Sequence, residues 1–298
     1  MKYTFRIVDK CNMCGSTSFK IMGKRLNKSQ GKNPRKKTGI TTTILKCKNC
    51  GLIFPNPLPI PENIEQHYGI NPEQYWKESY FKIDKNYFKS QINTFYKLYN
   101  ALDNNITALD IGAGIGKCMI SLENSNIIAY GIEPSEQFYE FAISKMNISR
   151  NKIKNESIEN ADFKNIQFDF ISFGAVLEHL INPSHAIKKA INWLKPNGLI
   201  YIEAPSSKWL TNKIFNLFYK IQGLDYVANI SPMHLPFHLY EFGLDSFNIN
   251  GVLNGYKTEF YKYHVASTFL PKIIGPIIKP IMKKTNTGLQ LEIWLRKS

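Results

Sequence analysis

Apolar and polar positions alternate along this chain in blocks that predict strands and helices in turn. "ITALDIGAGIGK" (106–117) reads as a buried strand breaking into a glycine-rich turn and then a helix. "IIAYGIEPS" (127–135) is a second strand ending at Glu133, and "IKNESIEN" (153–160) supplies a third strand end. "FDFISFGAVLEHLINP" (168–183) is a fourth strand followed by a loop. "SHAIKKAINWLKPNGLIYIEAPS" (184–206) is helix, turn and strand, with Lys195-Pro196-Asn197-Gly198 as punctuation. "SSKWLTNKIFNLFYKIQGL" (206–224) predicts an inserted helix, and "GYKTEFYKYHV" (255–265) and "LQLEIWLRK" (289–297) read as the last two strands. Strands alternating with helices predict an α/β fold: a doubly wound, seven-stranded sheet.

The first part of the chain follows other rules. "CNMC" (Cys11, Cys14) and "CKNC" (Cys47, Cys50) are two C-x-x-C pairs, each followed by glycine (Gly15, Gly51). Paired thiolates at this spacing, in a chain without a secretory signal core, predict a four-cysteine structural zinc site rather than disulfides. A full coordination sphere leaves no position for an activated water, so this zinc serves folding and docking. "FPNPLPIPENIEQHYG" (54–69) carries Pro55, Pro57, Pro59 and Pro61 and predicts a semi-rigid linker without regular structure. "NPEQYWKESYFKIDKNYFKSQINTFYKLYNAL" (71–102) predicts one or two aromatic-rich helices over the mouth of a site. The expected organisation is a zinc-ribbon module at 1–58, a linker and helical cover at 59–90, and the α/β domain at 91–298 with a helical insert near 206–245.

Charge changes the picture of the partners. The net charge is +15, and residues 1–50 carry 13 Lys and Arg against one acid, Asp9. The basic loop 24–37 and the C-terminal basic stretch suggest either an anionic partner or a solvated lysine-rich surface. The segment "ASTFLPKIIGPIIKPIMKKTNTG" (266–288) mixes apolar residues with Pro and Lys, which allows peripheral membrane contact near 268–284 or ordinary packing. No apolar run reaches the roughly 18–20 residues of a spanning helix. A cytoplasmic enzyme is the expectation.

The glycine turn decides the chemistry. Gly112, Gly114 and Gly116 are spaced G-x-G-x-G, and the position a dinucleotide fingerprint would fill with glycine is Lys117. A P-loop would need Ser or Thr after Gly116-Lys117, where Cys118 stands. Asp110, before the turn, repels phosphate and attracts the ammonium of an amino-acid moiety. Glu133, at the next strand end, can accept hydrogen bonds from both ribose hydroxyls. This combination fits S-adenosylmethionine. The cofactor-binding candidates are Asp110, Gly112, Ala113, Gly114, Gly116, Glu133, Pro134, and Gly174, with Glu156, Ser157 and Ile158 bordering the adenine.

"LDIGAGIGK", "GIEPS" and "FDFISFGAVLEHLINPSHAIKKAINWLKPNGLIYIEAP", in this order, resemble the class I S-adenosylmethionine-dependent methyltransferases over roughly residues 90–265. The resemblance implies their Rossmann-like fold. With the cysteine pairs included, the chain is similar to the subfamily of ubiquinone-biosynthesis O-methyltransferases. Zinc-ribbon members of that group point to polysaccharide or secondary-metabolite acceptors. Some relatives hold a divalent metal with a Glu-x-x-Glu-His step and a distant histidine. Here the first position is Ala175, which puts an active-site metal in doubt.

Methyl transfer from a sulfonium needs an acceptor held in line, and a hydroxyl acceptor also needs a base or a metal. Glu178 and His179 follow the fourth strand, and His234 and His238 come later in "SPMHLPFHLYEFGLDSF"; these four are the catalytic candidates, with His179 as base or acceptor contact. The chain lacks the N/D-P-P-Y/F tetrad of amine-methylating nucleic-acid enzymes after that strand. The expectation is O-methylation of a sugar or another small metabolite, with nucleic acid the less favoured partner. A ribosomal or other RNA methyltransferase, and a cofactor-binding protein without catalysis, are the alternatives.

Overall fold

The computed structural model of the chain describes residues 3–25, 40–62, 72–75, 78–99, 105–164, 166–228, 238–266, 268–271 and 273–298. His234 and most of the basic loop, Arg35, Lys36 and Lys37 included, lie outside these described residues.

The N-terminal part is built from five short strands: β1 (Tyr3–Arg6), β2 (Phe19–Arg25), β3 (Thr43–Cys47), β4 (Ile53–Asn56) and β5 (Leu58–Pro61). β2, β3 and β4 form an antiparallel sheet, and β1 pairs with β5. The described part of the proline-rich stretch, 54–62, expected to lack regular structure, therefore lies largely in two strands. Among the described residues both are edge strands: β4 ends its sheet, touched on its outer side by a single bridge from Ile53 to Glu241, and β5 pairs with β1. Proline is tolerated there because an edge has one side that needs no ladder N–H.

A short helix α1 (Pro72–Tyr75), a 3₁₀ turn at Glu78–Phe81 and helix α2 (Lys89–Leu98) lead into the larger sheet. Its elements follow in chain order: β6 (Thr107–Ile111), α3 (Lys117–Glu123), β7 (Ile128–Ile132), α4 (Glu136–Ser144), β8 (Ile153–Lys154), β9 (Phe168–Gly174), α5 (Pro183–Trp193) and β10 (Leu194–Pro205). After β10 come α6 (Leu210–Ile221), β11 (Tyr226–Val227), α7 (Leu244–Asn254), β12 (Tyr256–His264), α8 (Gly275–Lys284) and β13 (Gln290–Lys297).

Seven of these strands lie in the order β12-β13-β10-β9-β6-β7-β8. β10, β9, β6, β7 and β8 are parallel, and β13 runs antiparallel between β10 and β12. The chain starts at the sheet centre with β6, winds outward to β8, then returns to the other side of β6 with β9. That reversal between β6 and β9 is where ligands bind in open α/β sheets, at the carboxyl ends of the strands. The two sheet faces bury different residues. Ile200, Ile202 and Ala204 of β10 join one core, and Leu199 and Tyr201 join the other. β13 divides likewise, with Leu291, Ile293 and Leu295 on one side and Trp294 on the other. The period of two in strands puts alternate side chains on opposite faces.

The cysteine-rich part is fused to this body. Val8, Met13, Leu52 and Phe54 share one buried cluster with Leu109, Ile171 and Ile200 of the large sheet. The Asn250 side chain, fully buried in α7, donates to Met13 O at 2.8 Å and to Ser184 Oγ at 2.7 Å. β11, from the expected insert, pairs in parallel with β2 and completes the small sheet. No helix among the described residues is long and apolar enough to cross a membrane.

Candidate functional site

The glycine turn forms where β6 ends. Gly112, Gly114 and Gly116 all have positive φ, at 69°, 56° and 82°. Only glycine adopts this region without a Cβ penalty, so the tight turn depends on all three. They are not equivalent in space. A Cβ at Gly112 would lie 2.6 Å from Val176 Cγ2, and one at Gly116 would lie 2.7 Å from Ile148 Cγ1. A Cβ at Gly114, or at Gly174 at the end of β9, would meet nothing within 4 Å. Gly112 and Gly116 thus allow packing, while Gly114 and Gly174 border open space at the carboxyl edge. Ala113 is buried against the core beneath, and Pro134 is half-buried beside Glu133.

Two buried carboxylates flank the turn. Glu133 Oε2 accepts from Gly114 N at 2.8 Å and its Oε1 accepts from Ser135 N at 2.9 Å. The carboxylate thereby locks the glycine turn to the start of α4. Burial pushes its pKa up to about 7, against the lowering effect of those two amides. Asp110 accepts from Ser172 Oγ of β9 at 2.6 Å, and burial raises its pKa to about 6. Beyond Glu133, Asn155 donates its side-chain amide to Glu133 O at 2.8 Å. Glu156 next to it is exposed, Ser157 is half-buried, and the Ile158 side chain is packed into the core.

Helix α3 begins with Lys117, whose Nζ donates to Tyr80 O at 2.9 Å. The same ammonium lies 4.2 Å from the Tyr80 ring centroid and 4.6 Å from that of Tyr87. This cation–π clamp ties the aromatic segment ahead of α2 over the start of the glycine helix. Burial raises the pKa of both tyrosines, and the charge of Asp110 adds to the effect.

The second cluster stands beside the same turn, because Val176 packs on Gly112 and a 3₁₀ turn, Leu177–His179, follows directly. Glu178 is 1% exposed, and its Oε2 has no hydrogen-bond partner. Burial pushes its pKa up to about 8, and Glu203 adds a like charge. His238 reaches it from a distant segment held by Leu239 N donating to Glu178 O at 2.7 Å. Its Nε2 lies 3.8 Å from Glu178 Oε1, and its ring centroid is 4.8 Å from that of His179, edge to face. The donor atoms of Glu178, His179 and His238 lie within 4.8 Å of one another. One anionic and two imidazole ligands suit a divalent cation, and the orphaned buried oxygen of Glu178 fits one; the fourth donor of the Glu-x-x-Glu-His pattern is absent at Ala175. The Glu178-His179 step does not cap α5: Asn182 Oδ1 does, accepting from His185 N at 3.1 Å. Glu203, at the end of β10, accepts from Tyr201 OH at 2.7 Å. His264 is engaged with Glu292 at 2.5 Å, away from this cluster.

The four paired cysteines converge. Cys11 Sγ and Cys50 Sγ are 3.5 Å apart, Cys14 Sγ and Cys47 Sγ are 3.6 Å apart, and all four sulfurs lie within 4.8 Å of one another. A tetrahedral zinc with Zn–S near 2.3 Å needs edges of about 3.8 Å, so the set fits. Each pair is a knuckle closed by glycine: Gly15 N donates to Cys11 O at 2.8 Å and Gly51 N to Cys47 O at 3.0 Å. Cys11 and Cys50 share a hydrogen bond that draws the Cys11 thiol pKa down. Cys118 is a separate, buried cysteine on α3.

A doubly wound sheet with one antiparallel strand, a G-x-G-x-G turn and a carboxylate at the next strand end define a class I S-adenosylmethionine-dependent methyltransferase. The profile of a methyltransferase domain family matches residues 84–240, more than half of the chain, and the chain belongs to that family: it is an S-adenosylmethionine-dependent methyltransferase. The match runs from the aromatic cover through β10 to the segment of His238. Among solved structures, a methyltransferase of Methanosarcina mazei is similar at 18% identity, covering 67% of this chain and 96% of its own, with a TM-score of 0.48. One of Archaeoglobus fulgidus is 15% identical, covering 75% and 99%, with a TM-score of 0.47. One of Clostridium acetobutylicum is 12% identical, covering 76% and 97%, with a TM-score of 0.48. No curated protein sequence matches the chain.

Proposed function

We propose that this methyltransferase acts on a hydroxyl of a sugar or another small metabolite, with Glu178, His179 and His238 at the acceptor. The observation that carries the reading is the convergence of these three side chains beside the Gly112 turn. When bound, the cofactor supplies an electrophilic methyl on a sulfonium. On transfer the acceptor oxygen would bond to that methyl as the carbon–sulfur bond breaks, its electron pair staying on sulfur. The hydroxyl proton has to leave, and the reading assigns it to His179, half-buried beside Glu178 and His238. His238, edge-on to His179 and near Glu178, orients that imidazole, and the high pKa of Glu178 limits charge beside it. A divalent cation on the same three residues would instead lower the pKa of the hydroxyl directly.

On this reading Asp110 takes the cofactor's ammonium and Glu133 its ribose hydroxyls. Gly112, Ala113, Gly114, Gly116 and Pro134 shape the turn, while Gly174 and residues 156–158 border the nucleoside. Cys11, Cys14, Cys47 and Cys50 hold a structural zinc. The ubiquinone-type O-methyltransferases remain the subfamily this pattern suggests, and residues 1–58 are read as its zinc-ribbon module.

The test is His179→Ala. Turnover on a hydroxyl acceptor should fall by roughly 10²- to 10⁴-fold, the span of a general base, with cofactor affinity by calorimetry nearly unchanged. Intact activity in this variant, with collapse and steep salt dependence on neutralising Arg35, Lys36 and Lys37, would move the assignment to RNA or another polyanion.

A further inference from the structure

Two helices rise from the same sheet edge as the site. β10 is parallel to β6 and β9, so α6 leaves it at the carboxyl edge. β12 runs alongside in the same direction, because both are antiparallel to β13. The segment between β12 and β13, which contains α8, therefore starts and returns at that edge too. The two segments are joined. Thr211 Oγ1 donates to Thr268 O at 2.9 Å, Leu210 N donates to Thr287 O at 3.1 Å, and the Trp209 and Phe269 rings meet at 5.8 Å.

Each helix carries one exposed apolar stripe. On α6, Leu217, Phe218 and Ile221 are 60%, 52% and 75% exposed; near and on α8, Ile273, Ile277 and Ile281 are 84%, 68% and 45% exposed. On α6, Leu217 and Phe218 precede Ile221 by four and three residues; Ile277 and Ile281 are four apart on α8, with Ile273 four earlier in the turn ahead of it, so each set shares one face. Aliphatic side chains at such exposure in one region mark an interaction surface. The charge along both segments is basic, and the first acid beyond α6, Asp225, faces Lys24 at 3.7 Å. Residues 206–224 contain Lys208, Lys213 and Lys220 and no acid; residues 265–289 contain Lys272, Lys279, Lys283 and Lys284 and no acid. An apolar stripe framed by lysines, on helices too short to span a bilayer, complements an anionic membrane surface.

We propose that α6 and the segment containing α8 dock this enzyme on an anionic bilayer, so that the acceptor is a hydroxyl on a lipid-linked molecule. Docking through these helices brings the carboxyl edge of the sheet to the headgroup layer. The lipid-linked character of the acceptor rests on the hydroxyl reading above; the membrane contact does not.

The experiment is co-sedimentation of the full chain with sucrose-loaded vesicles of phosphatidylcholine alone or in an equimolar mixture with phosphatidylglycerol. Binding is expected to the mixed vesicles at low ionic strength, falling with added salt. Lys279→Glu, Lys283→Glu and Lys284→Glu together should lower the partition coefficient by roughly 10²-fold, at about fivefold for each lysine. Ile273→Glu with Ile277→Glu should lower it by at least about tenfold. All five positions are exposed, and unchanged cofactor affinity reports an intact fold in each variant. No binding of the unaltered protein to the mixed vesicles overturns the proposal, and so does equal binding by both variants. A self-association that Ile277→Glu abolishes, seen by sedimentation velocity without vesicle binding, assigns the surface to a second copy of the chain instead. Because no acceptor is used, a negative vesicle result leaves the hydroxyl reading standing; failure of hydroxyl acceptors with vesicle binding intact removes only that reading.

Discussion

Alanine at two glycines of one turn should have opposite consequences for folding and binding. Gly112 and Gly114 both have positive φ, so either substitution costs the left-handed penalty of about 1–2 kcal/mol. At Gly112 the new methyl also lies 2.6 Å from Val176 Cγ2 and 3.3 Å from Cγ1. Overpacking of this kind adds about 1–3 kcal/mol, for a total of about 2–5 kcal/mol. At Gly114 nothing lies within 4 Å, and the methyl projects into the space beside the Glu133 carboxylate. Gly114→Ala should therefore lower the melting temperature by only a few degrees, at roughly 2–4 °C per kcal/mol in a chain of about this size. Its affinity for S-adenosylhomocysteine should fall by roughly 10- to 10²-fold, the equivalent of about 1–3 kcal/mol of clash with a bound ligand. Gly112→Ala should lose two to three times as much stability. Adding Val176→Ala should restore the overpacking part, so the cycle shows a coupling of about 1–3 kcal/mol. Urea denaturation and calorimetric titration of the four variants measure both sides. Equal destabilisation by the two alanines, or strict additivity with Val176→Ala, would refute the reasoning.

Cofactor affinity should depend on pH through the two buried acids. The Glu133 and Asp110 carboxyls stand at about 7 and about 6, raised by burial, so their neutral forms gain population as pH falls. Binding that uses the ionised forms weakens as pH falls through about 7 and further through about 6, and Glu133→Gln should flatten the step near 7; a titration series in S-adenosylhomocysteine that is level from pH 8 to 5.5 would contradict this. Elemental analysis of protein purified under reducing conditions should find one zinc per chain, and Cys47→Ser should release it with loss of the folded N-terminal sheet. Purified protein free of zinc, with its cysteines reduced, would exclude the metal assignment.

What the sequence determined by itself is local. Three glycines with positive φ, a carboxylate at the next strand end, and two C-x-x-C-G knuckles are short-range requirements of backbone and chemistry, so each is legible within a few residues. The succession along the chain of the large sheet's strands was legible for the same reason: periodicity is a property of neighbours along the chain. Tertiary structure decided what those pieces meet. Pro55, Pro59 and Pro61 lie in strands because their positions are edges among the described residues, and edge status depends on which partner is absent on one side. β2 pairs with β11 across roughly 200 residues, and no local pattern in Tyr226–Val227 announces it. Glu178 and His179 were visible as a pair, but the tertiary bonds of the 239–242 segment, Leu239 N to Glu178 O first among them, bring His238 to them. Lys117 looked like a missing glycine; in the fold its ammonium stacks on Tyr80 and Tyr87 and fastens the N-terminal aromatic cover. Glu203 and Asn155 gave no more signal than any polar residue at a strand end, and they matter through Tyr201 and the Glu133 carbonyl. Hydrogen bonds and packing across the sheet edge join residues by distance in space, which the order of residues does not encode directly.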